Sequence, residues 1–463
     1  MFDTLIIGAG MSGLAAGIRL AHYDHRVCIL ERHATIGGLN SFYRFQGRDF
    51  DVGLHAITNL APRGAKRSPL ARVLKQLRLN WDDLGLIPQI GSTIALAGVE
   101  LRFSNDFALL EEEIRRQFPG QIDNFRRLVA SLAEYEDFSA PHVQHSARAV
   151  LAEIFSEPLL AEMLLCPILF YGGAQEHDMS FGMFSLMFRS IFLEGFGRTV
   201  GGVRQILTHL VRTYKTLGGQ LRLQAGVRQL RVRDGAVTGV VLDDGTELAA
   251  KRVLSSAGWP ETVRLCDGPA VEPTPEPGRM TFIESISVLG VMPRELGFDR
   301  TMVFYNDSPR FDYRVPDDLA DVRSGIICVP NNFAYGDAQG AAPPSVGMVR
   351  VSALANYARW AGLDEDEYRL AKQRWYDTMV ASAVRFVPDF RHAVLAVDLF
   401  TPRTIRRFTG HDNGAIYGCP NKRFDGTTHL ANLFLCGNDQ GLIGIVGTLL
   451  SGITMANRHC LRE

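Results

Sequence analysis

The stretch that most constrains this chain lies at its start: LIIGAGMSGLAAGIRLAHYDHRVCILE, residues 5–31. The apolar, β-prone run over 4–7 predicts a buried parallel strand. Gly8, Gly10 and Gly13 follow as G-x-G-x-x-G. In such a turn the first glycine makes the bend and the second lets a pyrophosphate reach the backbone. The third lets the next helix pack close to the strand. That helix is predicted over about 11–21, with Leu14, Ala15, Ile18 and Leu20 available for packing. Its first residues, Met11 and Ser12, offer free N–H groups and a positive dipole end to phosphates. A second strand over 26–30 ends at Glu31, where a carboxylate can accept hydrogen bonds from ribose hydroxyls. Strand, glycines, helix, strand and acid in that order specify an adenine dinucleotide. NAD and FAD both satisfy this pattern.

The residues that follow narrow the choice by resemblance. ERHATIGGLNSFYRFQGRDFDVGLHAI, residues 31–57, resembles the extended dinucleotide motif of the FAD-dependent amine oxidase and phytoene desaturase superfamily. There the acid precedes a Gly-Gly pair and an F-D-x-G segment, here Gly37-Gly38 and Phe50-Asp51-Val52-Gly53. The glycine pair lets backbone come close to the cofactor. The family often has an arginine directly after the pair, where this chain has Leu39 and Asn40. The resemblance implies that the cofactor is FAD, bordered by Arg32, Gly37, Gly38, Leu39 and Asn40.

At 463 residues the chain is too long for one simple core, so two or more domains are expected. Its hydrophobic share of 46% and charged share of 21% are those of a globular protein. A net charge of −1 leaves no electrostatic footprint for nucleic acid. The seven cysteines show no C-x-x-C and no Cys/His ligand spacing, so neither disulfides nor a metal site is expected. The chain opens directly on its first strand with no cationic leader, and no run reaches the length of a spanning helix. A cytoplasmic protein is therefore expected.

Two later blocks complete the dinucleotide unit. Over 201–258 the pattern reads as a helix carrying Ile206, Leu210 and Tyr214, a Gly-Gly stop, and alternating strands turned at Asp234-Gly235 and Asp244-Gly245. A small antiparallel meander beside a parallel sheet resembles the glutathione-reductase type of FAD domain, which implies that the backbone of Val227 lies near the adenine. Over 432–461 a buried strand leads into a glycine-rich turn and a helix from about residue 447. This matches the superfamily's C-terminal FAD motif, with Asn438 where an acid or small residue is usual. By that match Gly437, Asn438, Gly444, Ile445 and Val446 join the cofactor site, the helix N-terminus facing the flavin ring.

The expected fold is α/β: a glutathione-reductase-type Rossmann FAD domain, a parallel sheet plus antiparallel meander, with an interleaved α+β substrate domain. The FAD domain is assigned to 1–60, 200–260 and 425–463, the substrate domain to 61–199 and 261–424. Exposed loops are expected at 271–278 and 337–345.

Within the substrate region, Phe181, Phe184, Phe188 and Phe192 recur at helical spacing. A core helix is the default reading; a wall of an apolar tunnel is the functional one. Residues 63–79 place Leu70, Val73, Leu74 and Leu77 on one face and Arg72, Lys75 and Arg78 around the other. A surface helix is the default reading, a peripheral membrane contact the second. FTPRTIRRFTGHDNGAIYG, residues 400–418, resembles the phytoene desaturase and carotenoid isomerase group through Thr401, Pro402, Gly410, Gly414, Tyr417 and Gly418.

No Ser-His-Asp, H-E-x-x-H or P-loop pattern is present, so a flavin would carry the chemistry. The resemblance implies an FAD-dependent oxidoreductase that dehydrogenates, saturates or isomerises an isoprenoid or other long apolar small molecule by hydride transfer at flavin N5. His55, close behind the F-D-x-G segment, is the candidate proton shuttle, with a structural histidine as the alternative. Asp51 is expected to fix backbone rather than act as a base. A flavin amine oxidase and a non-catalytic prenyl-binding protein on the same scaffold are the alternatives. Substrate, direction, electron acceptor and oligomeric state are not encoded in these patterns.

Overall fold

The first strand is Phe2–Ile7 and the helix behind the glycines is Met11–Ala21, in a computed structural model that describes residues 1–53, 56–132, 145–268, 274–337 and 343–461. Five parallel strands form one sheet, in the order Leu433–Leu435, Ala250–Ser255, Phe2–Ile7, Val27–Leu30 and Gln220–Arg222. Such a sheet must be covered on both faces. Ile6 and Leu254 point into a core shared with Met11–Ala21, Val203–Thr216 and Gly444–Met455. Leu5, Ile7 and Val253 point the other way, into a core shared with Val227, Leu230 and Val240. That second face belongs to the antiparallel meander Val227–Arg233, Ala236–Leu242 and Glu247–Leu248. Its first turn has Asp234 and Gly235 both at positive φ, 50° and 72°, which suits a tight two-residue hairpin.

Two glycines carry the close packing. A Cβ on Gly13 would lie 2.1 Å from the Gly8 carbonyl oxygen, so only glycine lets this helix rest on the turn. A Cβ on Gly452 would lie 2.0 Å from the Ser12 carbonyl, which fixes the crossing of the C-terminal helix over the first. That C-terminal helix begins at Gly444, three residues before the position expected from sequence, because Ile443 is extended and the turn ends there.

A second, seven-stranded sheet runs Val394–Phe400, Thr281–Leu289, Gly347–Ala355, Ala320–Cys328, Met302–Asn306, Ser92–Leu96 and Val99–Phe103. It is antiparallel except where Met302–Asn306 pairs with Ser92–Leu96. Helix Glu365–Ala383 covers one face, its Trp375 and Met379 sharing a core with Ile283 and Val351. The other face meets an aromatic core built from helices Pro158–Gly172 and Phe181–Phe188.

The phenylalanine stripe is core. Phe181, Phe184, Phe188 and Phe192 are each at most 1% exposed, with successive ring centroids 5.4, 5.9 and 5.0 Å apart. Helix Pro69–Leu77 buries Leu70, Val73, Leu74 and Leu77 and leaves Arg72, Lys75 and the C-cap Arg78 exposed. Residues 274–278 carry no regular element; 271–273 and 338–342, within the two expected loops, lie outside the described residues. Among the described residues no helix is long and apolar enough to cross a membrane.

Candidate functional site

The three blocks around the parallel sheet meet at a cleft of about 310 Å³. Backbone pairing forms its floor: the Gly37 amide donates to the Ala9 carbonyl at 3.0 Å, and Gly10 and Gly37 form a parallel bridge. Gly8, Gly10, Met11 and Ser12 border the cleft, as do Gly37, Gly38, Leu39 and Asn40. A Cβ on Gly10 would come no closer than 4.0 Å to any neighbour, the Gly37 carbonyl, so this glycine leaves room for a guest rather than for packing.

Glu31 is 8% exposed and faces the same cleft. Its carboxylate is held by two backbone amides, Ala9 to Oε2 at 2.8 Å and His33 to Oε1 at 2.9 Å. Each oxygen keeps acceptor capacity beyond those bonds. Arg32 reaches across to the Val227 carbonyl at 3.4 Å, and both border the cleft.

From the C-terminal block, Gly437 and Asn438 line the cleft. The Asn438 side chain donates to the Ile416 carbonyl at 2.7 Å. Gly13, Gly444, Ile445 and Val446 are not among the lining residues. Gly13 acts through packing. Gly444 opens the last helix at φ 75°, and Ile445 and Val446 are buried with Leu70 and Val73 of the basic helix.

Several lining residues were not singled out in the sequence. Ser256 donates to the Ile7 carbonyl at 2.8 Å and occupies the space a Cβ on Gly8 would need. Glu261, His411 and Asp439 form an ionisable group on the cleft wall. Asp439 accepts from the amides of Trp259 at 2.6 Å and Cys419 at 2.8 Å. His411 Nδ1 lies 3.8 Å from Glu261 Oε1. Burial opposes charging of this imidazole, but the carboxylates of Glu261, Asp439 and Asp412 outweigh it and raise its pKa. The signal was present in H-D-N-G at 411–414, which reads as a family motif and hides its chemistry.

Asp51 plays the structural part expected of it. It pairs with Arg198 at 2.5 Å and its other oxygen accepts from the Val203 amide at 3.0 Å, which starts helix Val203–Thr216. His55 lies outside the described residues.

Tyr171, Leu193, Val200, Ile416 and Tyr417 are among the partly buried side chains packed against the aromatic core. Tyr171 packs on Phe196 and Phe304, with centroids at 5.1 and 5.9 Å, and Tyr417 packs on Phe282 at 6.1 Å. Burial raises the pKa of both phenols, so both are neutral donors. Backbone ties join segment 416–417 to the C-terminal block: the Tyr417 carbonyl accepts from the buried Lys422, and the Ile416 carbonyl accepts from Asn438, which lines the cleft. On the facing sheet, Arg350, 1% exposed, donates from Nε to Glu284 at 2.6 Å and again from Nη2. Ser352 Oγ donates to the same carboxylate at 3.3 Å.

A glycine-turn parallel sheet, an acid closing its second strand and a meander on one face define a dinucleotide-binding flavoprotein fold. The chain belongs to the flavin containing amine oxidoreductase family, whose model matches residues 11–458. It is an FAD-dependent oxidoreductase. It is 23% identical to all-trans-retinol 13,14-reductase from Danio rerio over 98% of this chain and 85% of that one. It is 22% identical to a prolycopene isomerase from an Oncidium hybrid over 99% and 83%. Against the neurosporene-forming phytoene desaturase of Rhodobacter capsulatus it is 26% identical over 56% of this chain and 52% of that one. An oxidoreductase from Methanosarcina mazei shares the fold with a TM-score of 0.69 at 17% identity, covering 98% of this chain and 99% of that one.

Proposed function

We propose that this oxidoreductase exchanges a hydride between FAD and a conjugated isoprenoid chain, which it desaturates, saturates or isomerises. The observation that carries this reading is the large aromatic core under the seven-stranded sheet, against which Tyr171, Leu193, Val200, Ile416 and Tyr417 pack while only partly buried. A wall of this kind suits a long apolar ligand. The retinol, prolycopene and phytoene in the relatives' names are isoprenoids, which supports the same substrate class.

The cleft fits an adenine dinucleotide in its donor set. Glu31 would accept from the ribose hydroxyls, and the amides after Gly10 would face the diphosphate at the start of Met11–Ala21. The backbone of Val227, under Arg32, would border the adenine. Gly437, Asn438 and the N-terminus of Gly444–Met455 would attend the ring, with Ile445 and Val446 anchoring that helix from behind. Segments 1–60, 200–260 and 425–463 then act as the FAD unit and the remainder as the substrate unit. Bound FAD supplies the two-electron chemistry at N5. The protein would supply apolar surroundings and an oriented approach. The exposed cations of Pro69–Leu77 would meet a membrane surface from which such a substrate is drawn.

An absorbance spectrum of the purified protein followed by anaerobic titration with polyenes tests the reading. A yellow protein bleached by retinoids or carotenoids supports it. A yellow protein that polyenes leave oxidised and amines bleach overturns it.

A further inference from the structure

Glu31 marks one end of the cleft, and the amide of His33 donates to its carboxylate at 2.9 Å. Arg32 donates to the Val227 carbonyl at 3.4 Å, which ties the end of the second strand to the meander. Val227 and Leu265 line the cleft and pack in the apolar core under the meander. A further wall comes from elsewhere in the chain. Phe408, Thr409, Gly410 and His411 also line the cleft, and they lie outside the three segments assigned to FAD.

Phe408 sits in the last turn of helix Pro402–Thr409, which stops where Gly410 takes φ 76° and donates its amide to the Arg406 carbonyl at 2.9 Å. The Phe408 ring centroid is 5.7 Å from that of His33. A Cβ on Gly410 would lie 3.8 Å from Arg32 Nη1. These two distances put the ring beside the Glu31–Arg32 end of the cleft. The side chain is nonetheless 53% exposed. Arg407 stands 5.5 Å from the ring centroid and the His33 ring is tilted by 47°, so neither covers it. Among the large apolar side chains exposed in the described residues, Phe408 alone lines the cleft. An exposed apolar side chain by itself is ordinary. One on the wall of a cleft already fitted for a dinucleotide has a guest to cover it.

We propose that Phe408 stacks on the adenine of the bound FAD and closes the adenosine end of the cleft. This rests on the placement of the cofactor given above. Adenine is flat and uncharged, and stacking on an aromatic side chain needs only a ring with a free face. Phe408 offers that ring, and Val227 and Leu265 give apolar surface to the same cleft. Ribose and diphosphate fall to Glu31 and to backbone amides, so the base is the part of the cofactor left for an apolar wall. FMN and riboflavin carry no adenosine and gain nothing from it. Phe408 is thus a specificity group for a dinucleotide over a mononucleotide flavin. Its contact also ties helix Pro402–Thr409, outside the FAD segments, to the cofactor.

The test is equilibrium titration of the full chain, freed of flavin, with FAD and with ADP as its competitor. Phe408→Ala should weaken FAD and ADP by the same factor, roughly five- to hundredfold. Its melting temperature without ligand should stay close to that of the wild type, because the ring is exposed. Phe408→Trp and Phe408→Tyr should keep the wild-type affinities. Phe408→Leu should not, since leucine has bulk without a π face. FAD held equally well by the wild type and Phe408→Ala overturns the proposal. So does a loss of FAD affinity with ADP unaffected, which places the ring away from the adenosine. Leucine that restores binding as fully as tryptophan reduces the ring to apolar cover and overturns stacking. ADP that fails to displace FAD from the wild type removes the adenosine placement itself, a failure distinct from the other three. If Phe408→Ala melts early, the comparison of the leucine and tryptophan variants decides.

Discussion

Asp51 and Arg198 meet at 2.5 Å, each side chain only 9% exposed, and join the F-D-x-G segment to the end of the apolar stretch. Asp51 also accepts the Val203 amide. One carboxylate therefore ties the first cofactor segment to the end of the apolar stretch and to the helix under the sheet. Asp51→Asn removes the charge that faces a buried guanidinium, and the expected loss is about 3–5 kcal/mol. Urea unfolding with the FAD content of the native protein measures this. A variant of wild-type stability would show that the pair carries no structural role.

Gly10 and Gly13 make opposite predictions from adjacent positions of one motif. Gly13→Ala drives a Cβ into the Gly8 carbonyl and is expected to cost about 3 kcal/mol or more. Gly10 has φ −75°, which alanine adopts freely, and its Cβ direction is open. Gly10→Ala should keep its stability within about 1 kcal/mol and lose FAD affinity roughly tenfold or more. Thermal melts with and without added FAD separate the two. Equal stability loss in both would contradict the division of roles.

Glu31→Gln removes the charge that two amides and, in the proposed complex, two ribose hydroxyls recognise. Hydrogen bonds to a charged group are worth about 1.5–3 kcal/mol, so FAD binding should weaken roughly ten- to hundredfold. Calorimetric titration of apoprotein reads it. Unchanged affinity would remove Glu31 from the proposed cofactor contacts.

His411 predicts a pH dependence. Its folded pKa is raised by Glu261, Asp439 and Asp412 against the opposing effect of burial. Its contribution is then fully present below the unfolded value of about 6.5 and is lost as pH rises through the folded value. The stability difference between wild type and His411→Gln should be largest under mildly acidic conditions and shrink toward alkaline pH. Chemical denaturation of both proteins across that range checks the sign. A difference that grows with pH reverses it.

Arg72, Lys75 and Arg78 project from a helix whose apolar face is buried in the core. Sedimentation with phosphatidylserine vesicles should recover the wild type at low salt, and the triple glutamate variant should stay in solution. Wild-type protein that ignores anionic vesicles ends the membrane reading.

The phenylalanine stripe shows where local patterns stop. Helical spacing alone makes Phe181, Phe184, Phe188 and Phe192 equally suited to a core and to a tunnel wall. Packing among Phe103, Phe107, Phe125 and one another buries all four. The start of the last helix was misplaced for a similar reason. Several glycines in a row were all compatible with its N-terminus, and the extended backbone at Ile443 selected Gly444.

The first βαβ unit, its glycine roles and the acid at Glu31 are readable from the chain alone. Each depends on neighbours within about one turn or one strand, and such spacing is read directly from the chain. The meander turns were legible too, since Asp-Gly pairs set their own backbone angles. The meeting of Glu284 with Arg350 comes from long-range packing instead. Tyr171, Glu284, Arg350 and Tyr417 come from four distant segments, and sheet register, with Glu284 opposite Ser352 and Ile286 opposite Arg350, brings the charges together. Register is a long-range choice made by the two packed faces of the sheet, so no local spacing announces it.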